Sequence, residues 1–403
     1  MIYNKTILAQ LNKKIVIDMI RTQGPINKAE IARKAGLSIP TVMKITDDFE
    51  RQKLIRNIGK GESTGGKRPD LLEFVFDAYY IVGIDIGRHN VKILIMDMAA
   101  HILVKECFAT HKEELENPER FLAQVADWTS TLMEESGIEP GRFMGIGIGM
   151  PGILDYESGT VLVSPDFSWE NIRIKEIFER KFPYKIILEN TNKALAMGEY
   201  TYGAAKDCKS FFCINWGYGI GAAVMEDGRI LYGKNGAAGE FGHTIVEKNG
   251  PVCDCGHKGC LEAVSSGNAM AKCMKQKLGQ GEESLLAEVF LDGEDLDAKK
   301  IFDAARTGDR LSSQIIGEAV EYLGISIAGV INLLDPEVIV LAGGITKGKD
   351  LYEDFLMKAI STYKMKYSGR NVRIQFSKLG EYGTAIGVGA MFLNDFLENG
   401  GMH

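Results

Sequence analysis

Residues 80–97, YIVGIDIGRHNVKILIMD, and residues 211–227, FFCINWGYGIGAAVMED, follow one plan. In the first, 80–84 is an apolar, β-branched run suited to a buried strand, Asp85-Ile86-Gly87 turns, and 91–97 returns as a second strand. In the second, a strand over 211–215, the glycine turn Gly217-Tyr218-Gly219-Ile220-Gly221 and a strand over 222–225 repeat the pattern. In both, a further turn (Met98-Ala99-Ala100; Glu226-Asp227-Gly228) leads to a third strand, at 101–104 and 229–231. A duplicated strand–turn–strand–turn–strand unit predicts an α/β architecture of two lobes with a cleft; one continuous α/β sheet is the alternative. A third glycine turn, Ala342-Gly343-Gly344, follows a strand at 338–341. Glycines after strands let backbone N–H groups approach a phosphate, although each alone is a weak signal.

Upstream of the first copy the texture differs. Residues 12–21 predict a helix with Ile15, Met19 and Ile20 on one face, ended by Gly24-Pro25. A second helix at 28–35 stops at Gly36, and Ser38 caps a third whose buried stripe is Val42, Ile45 and Phe49. Two short helices joined by a tight turn form a helix-turn-helix. Strands at 54–58 and 71–76, with GKGESTGGKRP between them, add a wing. In a winged helix the third helix enters the major groove, so its outward face, Pro40, Thr41 and Lys44 beyond Ser38, is the candidate base-reading surface. Lys60, Lys67 and Arg68 in the wing are candidates for phosphate or minor-groove contact.

The charge distribution agrees. The 403 residues carry 47 Lys plus Arg and 54 Asp plus Glu, a balance of −7 that by itself argues against nucleic acid. Residues 1–77, however, net +5, and the remainder nets −12. A basic head on an acidic body indicates separate tasks, and helix-turn-helix, wing and positive charge together point to DNA as the partner of the head. The N-terminus has Lys5, Lys13 and Lys14 and no apolar signal region, and the longest weakly charged stretch, 322–334, stops at Asp335. That is short of the ~20 residues a membrane span needs. No membrane role and a reducing cytoplasmic location are therefore expected.

Three of the seven cysteines fall within eight positions, in GEFGHTIVEKNGPVCDCGHKGCLE at 239–262. His243, Cys253, Cys255 and Cys260, spaced H-x9-C-x-C-x4-C, can close a tetrahedral site of the kind zinc prefers, and a closed four-ligand set is structural. His257 is a competing nitrogen ligand or a loop histidine. Cys107, Cys208, Cys213 and Cys273 are scattered and read as ordinary core or surface residues.

On STGGKRP at 63–69, GIGMPGILD at 147–155, GAAGEFGH at 236–243 and CDCGHKGCLE at 253–262, nearly the whole chain resembles the ROK family. That family contains sugar kinases and relatives with an added N-terminal winged helix that act as sugar-responsive repressors. The resemblance implies an actin- and hexokinase-like (ribonuclease H-like) duplicated domain, one structural zinc per chain, a sugar bound in the cleft, and homodimers or homotetramers. It divides the chain into a winged helix at 1–77, a first lobe at 78–190 completed by 381–403, and a second lobe at 191–380 holding the zinc and the sugar pocket.

Carried over by position, Asn190, Glu240, His243 and Glu262 match the residues that face sugar hydroxyls, with His243 also holding the zinc at the pocket wall. Carboxylates and an amide suit that task, because each ring hydroxyl both donates and accepts. Asp166, in Pro165-Asp166-Phe167-Ser168-Trp169, stands where the family often has Asn, and Asp155 reads as a turn residue. The phosphoryl-transfer parts depart from the kinase pattern. Thr191 occupies the position of the catalytic Asp, and a threonine hydroxyl is no general base near neutral pH. Arg88, His89 and Asn90 replace the small, hydroxyl and cationic residues of the first phosphate turn, and Tyr218 replaces a small hydroxyl residue in the second. No catalytic residue is therefore expected. The expected function is a sugar-responsive repressor of carbohydrate genes, released by a sugar or sugar phosphate. A sugar kinase with a DNA-binding extension and a regulator controlled by a protein partner are the alternatives.

Overall fold

The structure, a computed structural model, describes residues 5–61 and 68–398. Its first helix, Lys5–Gln23, is longer than expected and buries Ile20 as expected, but Val16 and Ile17 in place of Ile15 and Met19. Positions 16, 17 and 20 share a helix face, which leaves Ile15 and Met19 half-buried at its margin. Lys28–Ala35 starts at Asn27, whose side chain accepts from Glu30 N–H at 2.9 Å, and ends at Gly36 with a left-handed φ of 67°. Ile39–Arg51 follows from the Ser38 cap and buries Val42, Ile45 and Phe49 as the spacing demands. Strands Ile55–Lys60 and Asp70–Phe74 pair antiparallel, and Ile26–Asn27 pairs with the far edge of Asp70–Phe74. Three helices and this small sheet make a winged helix-turn-helix.

The chain packs into two units. The first holds residues up to 148, 174–188 and those from 388; the second holds 149–173 and 189–387. The sheet of the first unit has the order Lys185–Asn190, Phe143–Met150, Tyr80–Ile86, Asn90–Asp97 and Ile102–Ala109. That of the second has the order Arg373–Phe376, Val338–Ala342, Phe211–Trp216, Ile220–Glu226 and Arg229–Ile230. Strand for strand the two orders correspond, so the repeat in the sequence is a repeat in the fold.

Alternation of side chains explains how the second sheet is covered on both faces. Phe212, Ile214, Trp216, Ile339 and Leu341 enter one core cluster, with Phe241, Leu261 and the long helix Arg310–Leu334. Phe211, Cys213, Val338 and Val340 enter another, with Leu195 and Ala196 of the helix Thr191–Thr201. Strands buried on both faces need near-continuous apolar sequence, which 211–216 and 338–342 have. By length and composition Arg310–Leu334 could cross a bilayer, because the apolar pattern extends well before Tyr322. Here it is a core helix, with Leu311, Ile315, Val320, Leu323 and Ile327 buried.

Candidate functional site

The ligand atoms of His243, Cys253, Cys255 and Cys260 lie within 4.8 Å of one another, a set able to hold a metal ion. Local turns bring them there. Gly256 N–H donates to the Cys253 carbonyl at 2.9 Å and Cys253 N–H to the His257 carbonyl at 2.8 Å, which folds the C-x-C segment on itself. Val246 N–H then bonds Gly259 O and Leu261 N–H bonds Thr244 O, both at 2.9 Å, laying the cysteine loop against the segment after His243. Gly259 is required there: with φ at 74°, a Cβ would stand 1.6 Å from the Glu247 carbonyl oxygen. Cys253 Sγ is 3.7 Å from His243 Nδ1, and Cys255 and Cys260 Sγ are 3.6 Å apart. His257 approaches Cys255 with Nδ1 at 3.7 Å, at the exposed rim. Burial pushes the Cys253 thiol up to about 12.

The hydroxyl-facing candidates cluster on the same unit. Helix Leu261–Ser265 begins directly after Cys260 and presents Glu262 from its first turn. Glu262 Oε2 accepts from Ile220 N–H at 2.8 Å, and Oε1 is 3.9 Å from Cys253 Sγ. Burial raises the Glu262 carboxyl, the Ile220 amide and the His243 charge oppose this, and the Asp166 and Asp254 carboxylates add to it. Glu240 is exposed, with Oε2 3.9 Å from His243 Nε2. Asn190 caps Thr191–Thr201: its Oδ1 accepts from Asn192 and Lys193 N–H at 3.0 and 3.4 Å, and its Nδ2 donates to Gly152 O at 3.0 Å. Among the described residues, one amide N–H of Asn190 remains available to a ligand. Asp155 accepts from Glu157 N–H and from Ser158, as a turn residue does.

Two residues not singled out from the sequence sit behind this set. Glu189 and Lys193 are almost fully buried. Glu189 Oε2 accepts from Tyr232 O–H at 2.7 Å, Oε1 accepts from Asn190 N–H at 2.7 Å, and Lys193 Nζ donates to Gly236 O at 2.6 Å. Burial pushes Glu189 up to about 7 against the hydrogen bonds and the Lys193 charge, and burial lowers Lys193. Nothing in the spacing marks them, though a Lys inside the buried first turn of a helix is an oddity.

The Thr191 hydroxyl is buried and meets no hydrogen-bond partner among the described residues. In the second glycine turn, the Ile220 amide is occupied by Glu262, and a Cβ at Gly219 would lie 2.5 Å from Glu262 Oε2. In the first unit the turn at Arg88 and His89 is closed by Gly87 N–H to Asn90 O at 3.0 Å.

In the winged helix, Pro40 and Lys44 are exposed on Ile39–Arg51, and Lys44 has no ion pair among the described residues. Ser38 and Thr41 are joined by their hydroxyls at 2.8 Å, which ties both to capping. Exposed Ile39 and Met43 share that outer face, a contribution the sequence reading omitted. Lys60 is paired with Asp70 at 2.7 Å, Arg68 is exposed, and Lys67 lies outside the described residues.

The chain matches the ROK family over residues 81–395. It is 30% identical over 397 residues to the xylose repressor of Caldicellulosiruptor bescii, with 98% of each chain covered. It superimposes on a ROK family transcriptional regulator, a homologue of the Escherichia coli MLC protein, with a TM-score of 0.83, 26% identity and 98% of both chains covered. It also superimposes on a ROK family glucokinase from Streptomyces griseus in complex with glucose and AMPPNP, with a TM-score of 0.68 and 27% identity over 77% of this chain and 98% of that one. Matches over 98% of the chain necessarily take in the winged helix as well as the duplicated body, and the family match spans most of its length: the chain belongs to the ROK family.

Proposed function

We propose that this ROK protein is a sugar-responsive DNA-binding repressor of carbohydrate genes that leaves its operator when a sugar or sugar phosphate binds the second unit. The observation that carries the reading is the winged helix in a chain alike over 98% of its length to a xylose repressor. Ile39, Pro40, Met43 and Lys44 form the groove-facing surface, and the exposed cations Lys60 and Arg68, with Lys67, serve the phosphates. A homodimer or homotetramer presents two such heads to two half-sites. Asn190, Glu240, His243 and Glu262 read the sugar hydroxyls. The effector needs only to bind the DNA-free form more tightly by a few kcal/mol, because differential affinity sets the population shift. A mobility-shift titration with xylose, glucose, N-acetylglucosamine and their phosphates tests this. Operator release by at least one supports it, and an unchanged operator affinity with all of them overturns it.

The metal of the second unit is zinc in this reading. Thiolates about 2.3 Å from a tetrahedral zinc set sulfur–sulfur edges of roughly 3.8 Å. The Cys255–Cys260 separation of 3.6 Å fits, and three cysteines with one histidine are the donor set zinc favours. A closed four-ligand set leaves no position for substrate, so the zinc supports the fold and fixes His243.

The likeness to the glucokinase keeps a sugar kinase as the second reading. Phosphoryl transfer depends on positioning and charge stabilisation. Thr191 supplies no base, Arg88 and His89 alter one phosphate turn, and Tyr218 alters the other. ATP- and sugar-dependent phosphorylation by the purified protein would establish the second reading against the first.

A further inference from the structure

Glu189 and Lys193 join the two halves of the hydroxyl-reading set. On one side, Glu189 Oε1 accepts from the backbone N–H of Asn190, and the Asn190 amide holds the Gly152 carbonyl. On the other side lies the loop from Tyr232 to Gly239, which delivers Glu240 and His243. This loop has little to hold it by itself. Gly233, Gly236 and Gly239 all have positive φ, Lys234, Asn235 and Ala237 are exposed, and one internal backbone bond, Ala238 N–H to Tyr232 O at 3.0 Å, spans it. Two side chains fasten it to the Asn190 side. Glu189 Oε2 takes the Tyr232 hydroxyl at the start of the loop, and Lys193 Nζ takes the Gly236 carbonyl at its crown. The Tyr156 and Tyr232 rings, edge to face at 5.0 Å, cover the cluster, and Lys193 Nζ lies 5.6 Å from the Tyr232 ring centroid.

We propose that Glu189 and Lys193 are positioning residues of the effector site, holding Asn190 and the Glu240–His243 segment in one register without contacting the effector. The inference rests on reading that site as the sugar site. An opposing account is that the two buried charges merely neutralise each other. The accounts separate because a buried charge left without its partner destabilises a fold, whereas removing both charges does not. The clamp on Gly236, by contrast, is lost in either case.

The experiment compares the full-length wild type, Lys193→Met and the double variant Glu189→Gln/Lys193→Met by thermal melting and by calorimetry with xylose, glucose, N-acetylglucosamine and their phosphates. Hydrogen exchange at the Ala238 and His243 amides, without sugar, completes the set. Lys193→Met lowers Tm and weakens effector binding about tenfold or more, the scale of one charged hydrogen bond. The double variant recovers Tm but not affinity, and its Ala238 and His243 amides exchange faster than in wild type. Recovery of affinity together with Tm overturns the proposal, as do unchanged exchange rates in the double variant. If the wild type binds none of the sugars, the sugar reading fails on its own. Exchange then decides the clamp: faster exchange supports it and unchanged exchange sinks it.

Discussion

Glu240 Oε2 stands 3.9 Å from Nε2 of His243, while Nδ1 of the same ring faces Cys253 Sγ at 3.7 Å. One imidazole thus has its two nitrogens turned to two tasks. A histidine holding a metal through Nδ1 carries its proton on Nε2, so it donates toward Glu240 and toward any hydroxyl bound beside it. Under the proposed function, metal and effector would thereby be coupled through a single ring.

Cys255→Ser should therefore lose more than metal. Metal analysis is expected to fall from about one zinc per chain to a small fraction of that. Tm should fall by about 5–10 °C, corresponding to a few kcal/mol in a unit of this size. Sugar affinity should fall with it, because His243 is no longer fixed. A variant that keeps stoichiometric zinc would remove the ligand assignment.

Glu240→Gln keeps the shape and removes the charge. Calorimetry should show effector binding weakened about tenfold, with zinc content and operator affinity as in wild type. Equal affinity would place Glu240 outside the sugar site.

Glu189 gives a pH signature. Burial raises its carboxyl to about 7 from an ordinary 4.5, so between those values the folded chain holds a proton that the unfolded chain has released. This term lowers stability as pH rises from about 4.5 to about 7 and adds no further change above that. Glu189→Gln should flatten this part of the Tm–pH profile, and a slope identical to wild type would refute the assignment.

In the winged helix, Lys44 and Lys60 should differ. Lys44→Ala, removing an exposed cation that has no ion pair among the described residues, is expected to weaken operator binding and reduce the salt slope by about 1. Lys60→Ala should have a smaller effect, because Lys60 already has the Asp70 carboxylate at 2.7 Å. Titrations at several salt concentrations compare the two directly, and the reverse order would relocate the DNA contact.

By the resemblance to the family's kinases, Thr191→Asp places a carboxylate where their base is expected. No sugar phosphorylation is expected from it, since Arg88, His89 and Tyr218 still alter the phosphate turns. ATP-dependent product from this single variant would show that the turns were never the obstacle.

Much of this was legible from residue order alone, for a local reason. The caps at Asn27 and Ser38, the left-handed Gly36, the alternating strands and the H-x9-C-x-C-x4-C spacing all act over a few positions to two dozen, where chemistry and chain geometry fix the outcome. The duplicated strand plan was legible too, because strands buried on both faces must be written as apolar runs.

What only the tertiary structure decided is which atoms those residues spend on each other. Glu189 finds Tyr232, and Lys193 finds Gly236, each 43 positions away. Asn190 commits most of its amide to a cap and to Gly152, and Lys60 commits its ammonium to Asp70. His243 divides its nitrogens between Cys253 and Glu240. Spacing sets which side chains are available. It carries no information about the direction in which a distant segment returns, and hydrogen bonds are decided by distances and angles that only the packed chain fixes.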